Sequence, residues 1–181
     1  MRIVVSGTHA TGKSTLISDF ARAHPEFTAL PDPFELVGEE LGTGSFIAQL
    51  RISAERLLDP DSSGPVIAER GPLDFLAYLD ALGELGRAES AADLVRREAP
   101  LAARAMARVD LLVLLAPGDG ITVPAEEDRE LRDTMATSLI EFADDPDLTG
   151  PARILELSGT PAARLIALEA AVRAQPADRI G

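Results

Sequence analysis

Gly7-Thr8-His9-Ala10-Thr11-Gly12-Lys13-Ser14, followed by Thr15, spells G-x-x-x-x-G-K-S, and the residues on either side decide how the chain folds. Before it, Arg2-Ile3-Val4-Val5-Ser6 is a short β-branched run suited to a buried strand. After it, Leu16, Ile17, Phe20 and Ala21 recur at helical spacing, which predicts a helix over 13–23. A strand, a glycine-bearing turn and a helix N-terminus present successive backbone N–H groups to a phosphate, and the helix dipole favours the anion. Gly7 and Gly12 permit backbone angles and close approaches that a Cβ would hinder. Lys13 can reach the β- and γ-phosphates of a nucleotide such as ATP, and Ser14 can offer its hydroxyl to Mg²⁺. Lys13 is the only lysine among 17 basic residues, the rest being arginine. A compact ammonium on a flexible stem fits inside a phosphate loop where a forked guanidinium does not.

Outward from this loop the chain alternates. Strands are expected at 26–30, 65–68, 109–115 and 153–157. Helices are expected at 33–41, 45–58 (capped by Ser45), 72–85, 90–107 (capped by Ser90), 125–142 and 161–174, with a loop at 117–120. Strands alternating with helices imply a parallel sheet covered on both faces, with ligands at the carboxyl ends of its strands. At 181 residues the chain has the length of one domain, 1–181.

Composition narrows the partners. Formal net charge is −13, which argues against a nucleic acid or an anionic membrane as the main partner. There is no cysteine, hence no disulfide, thiolate zinc site or cysteine nucleophile. No apolar run is long enough to span a bilayer and no signal peptide is visible, so a cytoplasmic protein is expected, monomeric or a homodimer.

Chemistry-bearing residues fall at the predicted strand ends. Glu69 and Arg70 follow the third strand; the acid can hold Mg²⁺ directly or through water, and the guanidinium can lie along transferring phosphate oxygens. The alternative is an ordinary surface ion pair. Asp32 follows the second strand, where a carboxylate can accept the proton of an attacking hydroxyl, with Glu35 one turn on as its substitute. An Asp that simply starts a turn before proline is the plainer reading. Arg129 and Arg132, three apart on one helix face, can close over phosphates as a lid spanning about 118–143, or pair with the acids around them. Gln49 and Arg56 lie two helical turns apart, with Phe46 near, and together can read and stack on a nucleobase; alone, Phe46 reads as core. His9 and His24 read as solvent-facing or loop residues.

Gly7 to Thr15, Asp32-Pro33, Ser45-Phe46-Ile47-Ala48-Gln49 and Glu69-Arg70-Gly71 occur in the order found in deoxynucleoside kinases, and the chain resembles that family. The resemblance implies a three-layer α/β P-loop NTPase fold, a five-stranded parallel sheet flanked by helices, and a helical lid. It implies Asp32 as base, Gln49 and Arg56 against a nucleobase, and Glu69 and Arg70 on metal and phosphate. Asp32 stands where that family has Glu, and only Phe34 supplies an aromatic residue after it. The chain also looks like the AAA-type P-loop kinases that include bacterial ribosylnicotinamide kinase, through Glu69-Arg70-Gly71-Pro72-Leu73-Asp74 and Asp119-Gly120-Ile121. Thr122 stands where that group often has arginine. Both resemblances imply an ATP- and Mg²⁺-dependent kinase acting on a small hydroxyl compound, most simply a nucleoside or deoxynucleoside. A nucleoside monophosphate kinase, for which Arg51 and Arg56 are available, an antibiotic or sugar kinase, and a regulatory ATPase are the alternatives. The acceptor pocket is expected from Phe34, Phe46, Gln49, Arg56, Phe75 and Tyr78, and Gly159-Thr160-Pro161 is expected to border the ATP base.

Overall fold

The computed structural model describes residues 1–37, 42–60, 64–116 and 128–174. Five strands, β1 (Arg2–Ser6), β2 (Thr28–Leu30), β3 (Val66–Glu69), β4 (Leu111–Leu115) and β5 (Arg153–Leu157), form one parallel sheet in the order β2-β3-β1-β4-β5. Eight helices accompany them among the described residues: α1 (Lys13–Ala23), α2 (Phe34–Val37), α3 (Thr43–Leu58), α4 (Pro72–Glu84), α5 (Ala91–Met106), α6 (Arg129–Asp144), α7 (Pro146–Thr149) and α8 (Pro161–Arg173).

Strand alternation sends successive side chains to opposite faces. Ile3 and Val5 join Leu111, Val113 and Leu115 on the face covered by α1 and α8. Val4, Leu112 and Leu114 face the larger core made with α3, α4, α5 and α6. The central strands are therefore apolar on both sides, which is why β1 and β4 read as continuous hydrophobic runs rather than alternating ones. This is the three-layer fold of the P-loop kinases.

Several boundaries differ from the sequence expectation. β2 begins at Thr28, because Phe27 N–H closes a turn onto the His24 carbonyl at 3.0 Å. β4 begins at Leu111, because Val109 N–H is taken by Met106 at the end of α5. Ser90 precedes α5 but makes no side-chain cap bond. His24, expected at the surface, stacks on Phe20 with ring centroids 4.5 Å apart and lies 3.3 Å from Glu169 of α8. Helix α7 was not expected; Pro146 opens it and the Asp145 carboxylate accepts from Asp147 N–H at 2.9 Å. The expected loop at 117–120, the Asp119-Gly120-Ile121 stretch with Thr122, residues 38–41 of the second predicted helix and the lid before Asp128 lie outside the described residues.

Strand register brings the ends together. Val5 pairs with Glu69 and Leu30 with Ala68, so β1, β3 and β2 stop side by side. The phosphate loop, the Glu69-Arg70 step and the Asp32 turn thereby meet at the carboxyl end of the sheet. Among the described residues no helix is long and apolar enough to cross a membrane.

Candidate active site

The loop from Gly7 to Gly12 begins where β1 ends. Gly7 has φ +146°, and a Cβ there would lie 2.9 Å from the Leu115 carbonyl oxygen, so the turn accepts no side chain. Ala10 takes the left-handed region at φ +55°. Thr11 Oγ1 donates to the Thr8 carbonyl at 3.0 Å, and Lys13 Nζ donates to the same oxygen at 2.8 Å. Lys13 is thus held buried inside its own loop; Thr8, Thr11 and Gly7 are buried with it, while His9, Ser14 and Thr15 are exposed.

Burial lowers the Lys13 ammonium to a pKa of about 8, Arg70 pushes the same way, and Asp74, Glu69 and Asp32 partly oppose it. Binding of a polyphosphate would restore the charge. Nucleotide affinity should therefore fall as pH rises from about 8 towards the ordinary lysine value, by up to about tenfold per pH unit, with proton uptake on binding. The stability term has the opposite sign. In that window the unfolded chain binds more protons than the folded one, so Lys13 contributes increasing stability as pH rises. Calorimetric titration and thermal melts at pH 7, 8 and 9.5, with Lys13→Met as control, check both slopes; parallel slopes would contradict this assignment.

Ser14 Oγ donates to Glu69 Oε1 at 2.8 Å, across the junction of α1 and β3. Burial raises the Glu69 carboxyl above its usual range, against the opposing pull of Ser14 and Lys13. A hydroxyl and a carboxylate with one face open suit Mg²⁺, which keeps several waters and takes its other oxygens from phosphates. No cluster of three or more acidic or His ligands exists among the described residues, and such a site needs none.

Arg70 ties the Asp32 turn to the loop. It sits at φ +63°, a left-handed conformation that costs a non-glycine residue on the order of 1–3 kcal/mol. Surrounding bonds hold it there. Its N–H donates to the Val5 carbonyl at 3.0 Å, and its own carbonyl accepts from Ser53 Oγ at 3.3 Å. Its guanidinium, 6% exposed, donates from Nε to Asp32 Oδ2 at 2.7 Å and from Nη1 to the Gly7 carbonyl at 3.2 Å, and Nη1 lies 3.7 Å from Asp74 Oδ1. The group also sits 5.5 Å from the centre of the Tyr78 ring. Burial opposes this charge, but Tyr78, Asp32 and Asp74 outweigh it and leave the guanidinium more basic than usual. Asp32 Oδ1 in turn accepts from Phe34 N–H at 3.0 Å, the turn-forming bond that the sequence also suggested. Glu35 is exposed on the next turn.

Asp74 closes the Glu69-Arg70-Gly71-Pro72-Leu73-Asp74 stretch, but motif reading gave it no role of its own. It is 0% exposed, and its carboxylate collects Ser6 Oγ at 2.5 Å, Gly7 N–H at 3.1 Å and Gly71 N–H at 2.8 Å. Burial raises its pKa, and Arg70 and these three donors pull against that. The sequence signal was its position three residues after Gly71, at the start of α4 behind Pro72, where an acid can accept the N–H of the residue that precedes the helix.

The other predicted residues scatter. Gln49, 1% exposed, donates to Ser45 Oγ at 2.8 Å, and Phe46 is buried, stacked on Tyr78 with centroids 4.7 Å apart. Phe46 is thus a wall behind Tyr78, as its plainer reading held. Arg56 Nη1 donates to the Pro31 carbonyl at 2.7 Å, tying α3 to the Asp32 turn. Arg51 points elsewhere, to Glu98 of α5 at 2.8 Å, away from the Asp32–Arg70 pair. Phe34 is half-buried and Phe75 is core. Arg129 is exposed in the first turn of α6, and Arg132 is half-buried one turn on. Asp128 caps α6 and pairs with Arg87, which also holds Glu130 at 2.7 Å. A cavity of about 550 Å³ at this corner, lined by Thr43, Arg87, Ser90 and Asp128, touches none of the phosphate-loop residues.

A family model described as an AAA domain matches residues 2–145. No curated protein sequence matches the chain significantly. Among solved structures, deoxyadenosine kinase from M. mycoides, bound to the products dCMP and a flexible dCDP, superposes with a TM-score of 0.75 at 12% identity, covering 97% of this chain and 100% of that one. The same enzyme with bound dCTP gives 0.74 at 12% identity, again covering 97% and 100%. Thymidylate kinase from Candida albicans gives 0.66 at 14% identity, covering 95% of this chain and 90% of that one. The resemblance read from the motifs is thus borne out as a shared P-loop kinase fold.

Proposed function

The chain belongs to the AAA domain family, and on that footing we propose that residues 1–181 form one ATP-dependent kinase domain transferring the γ-phosphate to a hydroxyl of a nucleoside or deoxynucleoside. One observation carries the reading. A single guanidinium, that of Arg70, binds Asp32 on the acceptor side and the Gly7 carbonyl of the phosphate loop. A hydroxyl held at Asp32 therefore lies beside the loop that would cradle the donor phosphates.

Lys13 and the loop N–H groups would bind the β- and γ-phosphates. Ser14 and Glu69 would hold Mg²⁺, which when bound neutralises charge on the phosphate oxygens. Asp32 would accept the proton of the attacking hydroxyl, and Arg70 would fix that carboxylate while lying along the transferring group. Arg129 and Arg132 are proposed to approach from the lid side, and Tyr78 backed by Phe46 to wall the acceptor pocket, with Gln49 at its edge. Commitment of Arg51 to Glu98 removes one of the two cations that a phosphorylated acceptor would call on, and favours the nucleoside over the monophosphate.

The test is ADP formation from Mg·ATP across a panel of nucleosides, nucleoside monophosphates, sugars and aminoglycosides, with Lys13→Met as blank. Strong stimulation by one nucleoside is expected. Stimulation by a non-nucleoside alone would overturn the acceptor class while leaving the phosphate chemistry standing. Tight ATP binding with no stimulation by any member would favour a regulatory ATPase.

A further inference from the structure

Arg164 lies on α8, a helix to which motif reading gave no role. It is 4% exposed, and with Leu168 it is one of two buried residues on that helix. Nη1 donates to the Thr11 carbonyl at 2.6 Å, and Nη2 to the Ala116 carbonyl at 3.0 Å. Nε is buried without a hydrogen-bond partner. Among the described residues no carboxylate pairs with this guanidinium. A buried cation neutralised only by two carbonyl dipoles is unusual, because desolvation of an unpaired charge is costly.

The Thr11 carbonyl belongs to the same peptide unit as the Gly12 N–H. In a planar trans peptide these two groups point in opposite directions. Anchoring the carbonyl on α8 therefore turns the Gly12 N–H away from α8, to the concave side of the loop. Gly12 is at φ +87°, and a Cβ there would stand 3.4 Å from Arg164 Nη1, so the guanidinium packs directly against the loop's back. The second bond ties the same group to Ala116, where β4 ends beside the loop. A rigid loop with its N–H groups already aimed binds an anion without paying to order them.

We propose that Arg164 is a positioning residue for nucleotide binding: from behind the phosphate loop it fixes the Thr11–Gly12 peptide, and its charge is balanced by the bound polyphosphate. The inference rests on the nucleotide half of the proposed function and is independent of the acceptor. It concerns phosphate recognition specifically, so loss of Arg164 acts on the triphosphate and leaves affinity for the base and ribose alone unchanged.

The experiment compares Arg164→Met, which keeps bulk and removes charge, with Arg164→Lys, which keeps charge and loses the fork. Affinity for Mg·ATP and for adenosine is measured by calorimetry, alongside thermal melts. Arg164→Met is expected to weaken Mg·ATP about thirtyfold and Arg164→Lys about fivefold, on the scale of lost charge-assisted bonds, with adenosine affinity unchanged in both. Equal weakening of Mg·ATP and adenosine would overturn the inference, as would an unchanged Mg·ATP affinity beside a lowered melting temperature, which marks a merely structural role. Should Arg164→Met not fold, Arg164→Lys decides alone by the same comparison. Wild-type protein that does not bind Mg·ATP would overturn the nucleotide reading and this inference together; wild-type binding with indifferent variants overturns the inference only.

Discussion

Asp32→Asn is expected to lower acceptor-stimulated turnover by about 10²- to 10⁴-fold, the range for loss of a positioned general base, while the affinity for Mg·ATP stays within about twofold. The variant is close to isosteric. Its amide oxygen can still accept from either Arg70 Nε or Phe34 N–H, which in the native protein hold one carboxylate oxygen each. The local turn should therefore survive, and what disappears is the second acceptor and the capacity to take a proton. Steady-state kinetics with the stimulating acceptor, beside calorimetry of nucleotide binding, separate these. Turnover within a few-fold of wild type would move the base to Glu35 or remove the need for one. A parallel loss of nucleotide affinity would mean that Asp32 acts by holding Arg70 against the loop.

The second large effect is on stability. Asp74→Ala removes the acceptor of three buried donors and leaves Arg70 with Asp32 as its remaining close carboxylate. Breaking a buried charged pair by deleting one partner costs about 3–5 kcal/mol. For a domain of this size that lowers the melting temperature by on the order of 10 °C. Asp74→Asn should cost less but still be destabilising. One carboxylate oxygen receives Gly7 N–H and the other Ser6 Oγ and Gly71 N–H, so whichever way the amide is turned its NH₂ confronts a donor. Thermal melts of both variants, with and without Mg·ATP, read the effect. The nucleotide should shift the melting point less than in wild type, since the entry of the phosphate loop loses its anchor. A melting point for Asp74→Ala within 2–3 °C of wild type would contradict this account.

Local chemistry carried much of this molecule into view. A β-branched run, a glycine turn and a helix at 3.6-residue spacing place β1, the loop and α1 from sequence alone, because each depends on neighbours in sequence. The same holds for β5 and for the starts of α4 and α8, opened by Pro72 and Pro161. Ends were less legible. Whether Phe27 or Val109 continues a strand depends on which carbonyl captures its N–H, and those captors lie in a neighbouring turn and the preceding helix.

The same division runs through the site. Residue type and position after a strand singled out Lys13, Ser14, Glu69, Arg70 and Asp32 as chemically apt, and strand register then brought them to the carboxyl end of the sheet. Side-chain pairing across elements was invisible. Nothing local says that Arg51 is spent on Glu98, that Phe46 lies under Tyr78, or that a helix some 150 residues from the loop sends a guanidinium to the back of Thr11. Asp74 is the sharpest case: its spacing from Gly71 announced a helix cap, but its bonds to Ser6 and Gly7 exist only because β1 and β3 are neighbours in the sheet. The sequence by itself determined the alternation of strands and helices and the phosphate loop, since short-range sterics, periodicity and N–H geometry suffice for both. Only the tertiary structure decided which charges are buried, what each is paired with, and which side chains meet at the strand ends, because burial and pairing are properties of contacts between segments that the chain itself holds far apart.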